Sequence, residues 1–466
     1  MFRTPIILID DNQEYLDTLN RAFALSGQPC LPIRFDGDDP DNTTGVDHVN
    51  ANTKHARVIA IDINLREAQN TQDARQLYPT IEKVLEKLNP IGPYYLIFWS
   101  KYKELPEEIF NLLSQRSKDV ITAPIGWSFL DKTDFSENDI NKLKDKLSQV
   151  IGEVKVFKLL HEWESRTIHA ASDTLSELYR IAASRHDKGW KIDETREKLI
   201  NLLTHIAHAS IGHQNAKDAP NHSIETGLMP ILEDNLLSMA SELDVARLNN
   251  DWKSCLNNLG DRKNLSTLEL DDISNLNTFY NVAELNEGFS KLKRGVFVRL
   301  SETINTNDQK FKGQFGRSHK ALMTEEFLFN NNVGGKINGP SYREKARQAT
   351  ILGWLEIGAA CDHAQRKNRL HKYVLAALVP SKYLKLVSDS KTKRTKAHEG
   401  IYRSPIFRYK DKNYVLLVSF RYVAGLHENS EVLDIPMFRL KEQIINEIAF
   451  AWGNHSIRPG ITSFSE

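Results

Sequence analysis

Three apolar runs in the first hundred residues constrain the fold most. They are IILI (6–9), the strand core of RVIAID (57–62), and YYLIFWS (94–100). Each is too continuously apolar for a strand with one wet face, so each reads as a strand buried on both sides. Each also ends on a polar group: Asp10 and Asp11, Asp62, and Ser100. Helical spacing fills the gaps. Leu16, Leu19, Ala22 and Phe23 predict a helix over 14–25, with Asn12 placed to cap it. Leu77, Ile81, Val84, Leu85 and Leu88 predict another over 72–88, and a third covers 106–115. LPIRF (31–35) and WSFLD (127–131) are shorter strands. Lys132 follows the second, and an amphipathic helix starts near 137 with Ile140, Leu143, Leu147 and Val150 on one side. This alternation predicts an α/β domain whose parallel sheet is covered on both faces. In such sheets functional groups gather at the carboxyl ends of the strands, where Asp10, Asp11, Asp62, Ser100 and Lys132 all fall.

Three clustered carboxylates repel. At about 4 Å each pair costs roughly 1 kcal/mol in water and about 4 kcal/mol at an effective dielectric of 20. A hard divalent cation offsets this, and Mg²⁺ favours a few carboxylates, waters and a phosphate oxygen. Ser100 suits a hydrogen bond to a phosphoryl oxygen, and Lys132 suits its neutralisation. Asp62 is then the carboxylate free to act as a nucleophile and carry an acyl phosphate.

The order acidic pair, Asp, Ser, Lys over roughly residues 3–152 resembles the receiver domain of bacterial two-component response regulators. The resemblance implies a flavodoxin-like domain with a five-stranded parallel sheet of order 2-1-3-4-5. It implies Mg²⁺ held by Asp10, Asp11, Asp62 and the main-chain carbonyl of Asn64, with Asp62 as phospho-acceptor. Ser100 would be the switch hydroxyl, Phe129 the aromatic that follows the switch, and Lys132 the site lysine. The implied partner is a sensor histidine kinase, and a homodimer through the receiver is also implied. The sequence departs from the family pattern where Lys101 and Tyr102 follow Ser100, and where Thr133 stands in place of the proline that usually follows the lysine. The stretch past Asp62-Ile63-Asn64-Leu65 also lacks the common proline, and the loops around 36–55 and 116–126 are longer than usual.

The chain has 466 residues, enough for two to three domains. Its 61 basic and 61 acidic residues balance, so overall charge favours neither nucleic acid nor membrane. Cys30, Cys255 and Cys361 lie far apart, and no secretory signal or long apolar span is visible, which gives the expectation of a cytoplasmic protein. The expected divisions are a receiver over 1–152, a helical domain over 153–290 and a C-terminal α+β domain over 291–466.

In the helical part, Val156, Phe157, Leu160, Trp163, Ala170, Leu175, Leu178 and Ile181 form a stripe expected to be core, on a helix continuous with that of the receiver. His205, His208 and His213 read as ordinary helix histidines, and Arg180 with His186 as a weak ribonuclease-like spacing. Farther on, RGVFVRLS, TILGWLEIG, KYVLAALVP, YKDKNYVLLVSFRYVAG and EVLDIP predict strands, and MFRLKEQIINEIAFAW predicts a helix. A compact α+β domain follows, a small barrel being one form of it. Cys361, Asp362 and His363 stand at a strand end. Lys391, Lys393, Arg394 and Lys396, with Arg366, Lys367, Arg369 and Lys372, form a basic cluster suited to phosphate contacts, with Tyr402, Phe407 and Tyr409 nearby for stacking.

Two functions are therefore expected. The first is a phospho-signalling protein with a regulated output or a phosphate-sink role towards another regulator, an architecture compatible with bacterial anti-phage systems. The alternative is a nucleic-acid-binding or nuclease effector switched by the receiver.

Overall fold

A computed structural model describes residues 6–35, 51–65, 73–135, 139–183, 191–242, 245–261, 267–285, 288–329, 340–364, 370–387 and 400–457. The chain divides into two units. Unit 1 is Met1–Ser184 with Pro230–Leu265, and unit 2 is Arg185–Met229 with Ser266–Glu466.

Unit 1 is built on β1 (Ile6–Asp10), α1 (Gln13–Leu25), β2 (Cys30–Arg34), β3 (Val58–Ile61), α2 (Ala74–Leu88), β4 (Tyr95–Ser100), α3 (Pro106–Arg116), β5 (Gly126–Asp131) and α4 (Ile140–Glu153). The strands pair in parallel in the order β2-β1-β3-β4-β5. Alternate strand residues supply two cores. Ile7, Ile9, Ile59, Ile61, Leu96 and Phe98 pack against α2 and α3. Ile6, Leu8, Ala60, Ile97 and Trp99 pack against α1 and α4. Double burial is why these strands read as unbroken apolar runs.

The helix starts follow local chemistry. Asn12 Oδ1 accepts from the backbone N–H of Glu14 at 2.9 Å, and Asp73 Oδ1 from that of Arg75 at 2.9 Å. Pro106 occupies the first turn of α3, where its missing N–H leaves no bond unmade.

The expected continuous helix is broken. Val154, at φ −88° and ψ 83°, separates α4 from α5 (Lys155–Ala182). Its side chain packs tightly against Gly126, where an added Cβ would lie 2.9 Å from Val154 Cγ2. Val154 packs, partly buried, against the α1/α4 core where the chain leaves the helical path. α5 is then held by Phe157, which is buried, and by a bidentate pair from Arg57 to Glu164 at 2.7 and 3.0 Å.

α6 (Ile192–Ile211), α7 (His213–Asp218), α8 (Pro220–Glu242) and α9 (Val245–Cys255) follow. α9 lies against α5, with Arg247 paired to Glu162 at 2.9 Å. The expected core stripe on α5 is only partly core. Phe157 and Ala170 are buried, whereas Val156, Leu160, Trp163, Leu175 and Ile181 are exposed. In unit 2, Ala207, Ile211 and Ala216 join α6 to α7 in a small cluster that brings the His208 and His213 rings to 4.1 Å. His186 lies outside the described residues.

The rest of unit 2 is a curled antiparallel sheet. It contains α10 (Leu270–Asn281), β6 (Val282–Glu284), β7 (Val296–Leu300), β8 (Ile351–Glu356), β9 (His371–Pro380), β10 (Ile401–Arg403), β11 (Phe407–Tyr409), β12 (Lys412–Leu426), β13 (Leu433–Leu440) and a helix at Glu442–Ser456. The path is β10-β12-β9-β8-β7-β13-β6, with β11 pairing to β12. Among the described residues it runs from edge to edge rather than closing as a barrel.

Two expectations change here. Met437–Leu440 belongs to a strand, because β13 pairs with β7 and β6, and the helix begins only at Glu442. Phe407 and Tyr409 are core residues, 2% and 3% exposed, packed against Phe438, so they are not presented for base stacking. Lys391, Lys393, Arg394 and Lys396 lie outside the described residues, as do Arg366, Lys367 and Arg369. Lys372 is described, and its ammonium lies over the Trp452 ring at 4.5 Å. No helix among the described residues is long and apolar enough to cross a membrane.

Candidate functional site

The parallel register brings the strand ends of unit 1 to one edge. Ile9 aligns with Ile61, Ile61 with Phe98, and Ser100 with Asp131. Asp10, Asp62, Ser100 and Lys132 therefore leave the sheet together. All four are buried, and carboxylate oxygens of Asp10, Asp11 and Asp62 lie within 4.8 Å of one another.

Lys132 is the pivot. Its ammonium donates to Asp62 Oδ2 at 2.8 Å and to Asp10 Oδ2 at 3.3 Å. The face of Tyr15 covers it at 4.4 Å, so two carboxylates and a π face surround a lysine that is 1% exposed. Asp10 is oriented by the backbone N–H of Asn12, which its Oδ1 accepts at 2.9 Å. Arg34 donates to the main-chain oxygen of Asp11 at 3.3 Å.

Asp62 Oδ1, Asn64 Oδ1 and Ser100 Oγ are buried with no hydrogen-bond partner. Buried polar atoms are rarely left so. Two acidic residues and a third carboxylate, with one cation between them, leave a net negative pocket whose donor set is all oxygen. That set fits Mg²⁺. Phe129 is half-buried against the α2/α3 core, on the strand that ends at this edge.

The charges are strained by burial. Burial first, and then the Asp62 charge, push the Asp10 carboxyl up to about 7, against the pull of Lys132. Burial also raises Asp62, again opposed by Lys132. Lys132 itself is held above its ordinary value: burial alone would lower it, but Asp62 and Asp10 outweigh that.

A stability prediction follows from Asp10. Between its ordinary 3.8 and about 7, the folded chain keeps a proton that the unfolded chain has released. This group's contribution therefore falls as pH rises through that window. Divalent-ion binding requires the deprotonated carboxylates, so it acts in the opposite sense. Mg²⁺ is expected to raise the thermal midpoint more at about pH 8 than at about pH 6. Equal shifts at both values in a thermal scan would contradict it.

Thr133 and Tyr102 have local roles. Asp131 Oδ1 accepts the Thr133 N–H at 2.9 Å and its hydroxyl at 2.7 Å, so Thr133 ties the turn that carries Lys132. Asp131 also pairs with Lys103 at 2.9 Å. Tyr102 receives a long hydrogen bond from Asn64 Nδ2 at 3.5 Å, which places a phenol at the rim beside the residue after Ile63. Sequence reasoning missed Tyr15 and Asp131. The signal for Asp131 was its place directly before Lys132, and Tyr15 carries none beyond its position in the first turn of α1.

No family model, curated protein or solved structure matches the chain.

Proposed function

We propose that unit 1 carries a flavodoxin-like, receiver-type domain that accepts a phosphoryl group on Asp62 from a sensor histidine kinase. One observation carries the reading. A buried lysine holds Asp62 Oδ2 at 2.8 Å, and the buried Ser100 hydroxyl interacts with the same carboxylate.

In this reading Asp62 Oδ1 attacks the phosphorus of a phosphohistidine. An O–P bond forms and the N–P bond breaks, and the imidazole leaves with the bonding electrons and is then protonated. Asp10, Asp11, Asp62 and the main-chain carbonyl of Asn64 would hold Mg²⁺, which supplies positive charge against the phosphoryl oxygens. Lys132 adds a point charge, and Ser100 gains a phosphoryl oxygen as acceptor. About two negative charges arriving at Asp62 pull Ser100 inward and let Phe129 repack, which alters the β4/β5 surface. That surface change is the output, whether it drives a further domain or simply stores the phosphoryl group in competition with another regulator. The nucleic-acid reading has less support, since Phe407 and Tyr409 are core.

Beryllofluoride with Mg²⁺, which mimics an aspartyl phosphate, tests this on the full chain. Binding is expected to raise the thermal midpoint and to perturb Trp99, which shares β4 with Ser100. The Asp62→Ala variant is expected to show neither change. A wild-type protein indifferent to the mimic would overturn the proposal.

A further inference from the structure

A second constellation of ligating groups lies in unit 2, remote in sequence from the aspartates. Glu356 ends β8 and is completely buried. Its Oε1 accepts the Gly358 N–H at 3.0 Å and faces His363 Nε2 at 2.8 Å. His371, the first residue of β9, places Nδ1 3.6 Å from the same oxygen. The remaining oxygen, Glu356 Oε2, is buried with no hydrogen-bond partner, and so is His371 Nδ1. A fully buried carboxylate with one oxygen unanswered is an unusual arrangement unless something else completes it.

The backbone is shaped around this cluster. An added Cβ at Gly358 would lie 2.6 Å from Glu356 Oε1 and 2.9 Å from His363 Nε2, so only glycine lets the loop pass beneath the donors. Arg294 fixes that loop, donating to the Gly358 carbonyl at 2.7 Å while also holding Glu442 and Asn446.

The spacing is that of ligands. Donors bonded at about 2.0–2.1 Å in a tetrahedron stand about 3.3 Å apart. The observed separations of 2.8 and 3.6 Å bracket that figure, and all three donor atoms lie within 4.8 Å of one another. Two imidazoles with one carboxylate favour Zn²⁺, Fe²⁺ or Ni²⁺ over Mg²⁺ or Ca²⁺. The side chains of His363 and His371 are 16% and 12% exposed, so the outer side of the cluster meets solvent.

We propose that Glu356, His363 and His371 bind one divalent transition-metal ion, Zn²⁺ foremost, with water in the outward position. Three protein ligands and one exchangeable water are the arrangement of catalytic rather than closed structural zinc. The site therefore also offers a place for a small anionic or carbonyl-bearing ligand on the metal.

The test uses the full chain, stripped with chelator and kept in excess Mg²⁺ so that the aspartate pocket does not compete. After Zn²⁺ loading and desalting, one equivalent should remain, measured by elemental mass spectrometry. Co²⁺ loading should give the visible absorption of a low-coordinate imidazole–carboxylate site, and Zn²⁺ should bleach it. His363→Gln and His371→Gln should each weaken Zn²⁺ binding by at least about 100-fold, since losing even an outer-shell partner costs 10–100-fold. His208→Gln, in the other histidine pair, should retain the full equivalent. The cobalt spectrum reads the wild type directly, so a poorly folding variant does not decide the matter. No retained Zn²⁺ in the wild type, or equal retention in the double variant His363→Gln/His371→Gln, would leave the cluster as a hydrogen-bonded pair and overturn the proposal.

Discussion

Lys132→Met is expected to lower the stability of unit 1 by about 3–5 kcal/mol, the range for removing one partner of a buried ion pair. The reason is specific to this pocket. Lys132 is the cation that Asp10 and Asp62 share, and all three side chains are at most 2% exposed. Methionine has the length to fill the space but leaves two buried carboxylates facing each other. The variant should recover part of the loss in two ways: on adding Asp62→Asn, which removes one of the charges, and on adding Mg²⁺, which replaces the missing one. Urea unfolding of the single and double variants measures this. A Lys132→Met protein as stable as wild type would mean that the lysine is not the electrostatic keystone of the site.

In unit 2 the largest single effect is expected at Trp354. It is 2% exposed in β8, two residues before Glu356, and stacks on Phe315 at 5.8 Å. Trp354→Ala removes the largest side chain of that core and leaves a cavity between β8 and the helix Asp308–Phe315, at a cost of about 3–5 kcal/mol. Trp354→Phe should cost far less, because the indole N–H has no partner in the fold and phenylalanine keeps the stack. Denaturant midpoints with unchanged slopes would establish the ranking. Equal losses for alanine and phenylalanine would show that the N–H, and not the volume, matters.

Much of unit 1 could be read from the chain because its strands are buried on both faces. β1, β3 and β4 announce themselves as apolar runs, and a carboxylate or hydroxyl at the end of such a run has few places to be except the sheet edge. Asp10, Asp62, Ser100 and Lys132 come together for that reason.

The remainder was hidden because it depends on strand pairing and turns rather than on residue spacing. Met437–Leu440 has helical spacing with the residues after it, and only its partners in β7 and β6 make it a strand. Tyr409 looked available until its pairing with Lys412 folded β11 into the core. The Glu356, His363 and His371 cluster joins a strand end, a short helix and the next strand start, and only the turns between those elements bring the three side chains together. The bend at Val154 likewise depends on Gly126, twenty-eight residues earlier in the chain.

Incubating the full chain with acetyl phosphate, with and without Mg²⁺, and measuring intact mass tests most directly whether Asp62 accepts a phosphoryl group. The expected result is a gain of one phosphoryl group that requires Mg²⁺, is removed by hydroxylamine and is lost in Asp62→Asn. An unchanged mass with Mg²⁺ present, or a modification that survives Asp62→Asn, would contradict the account.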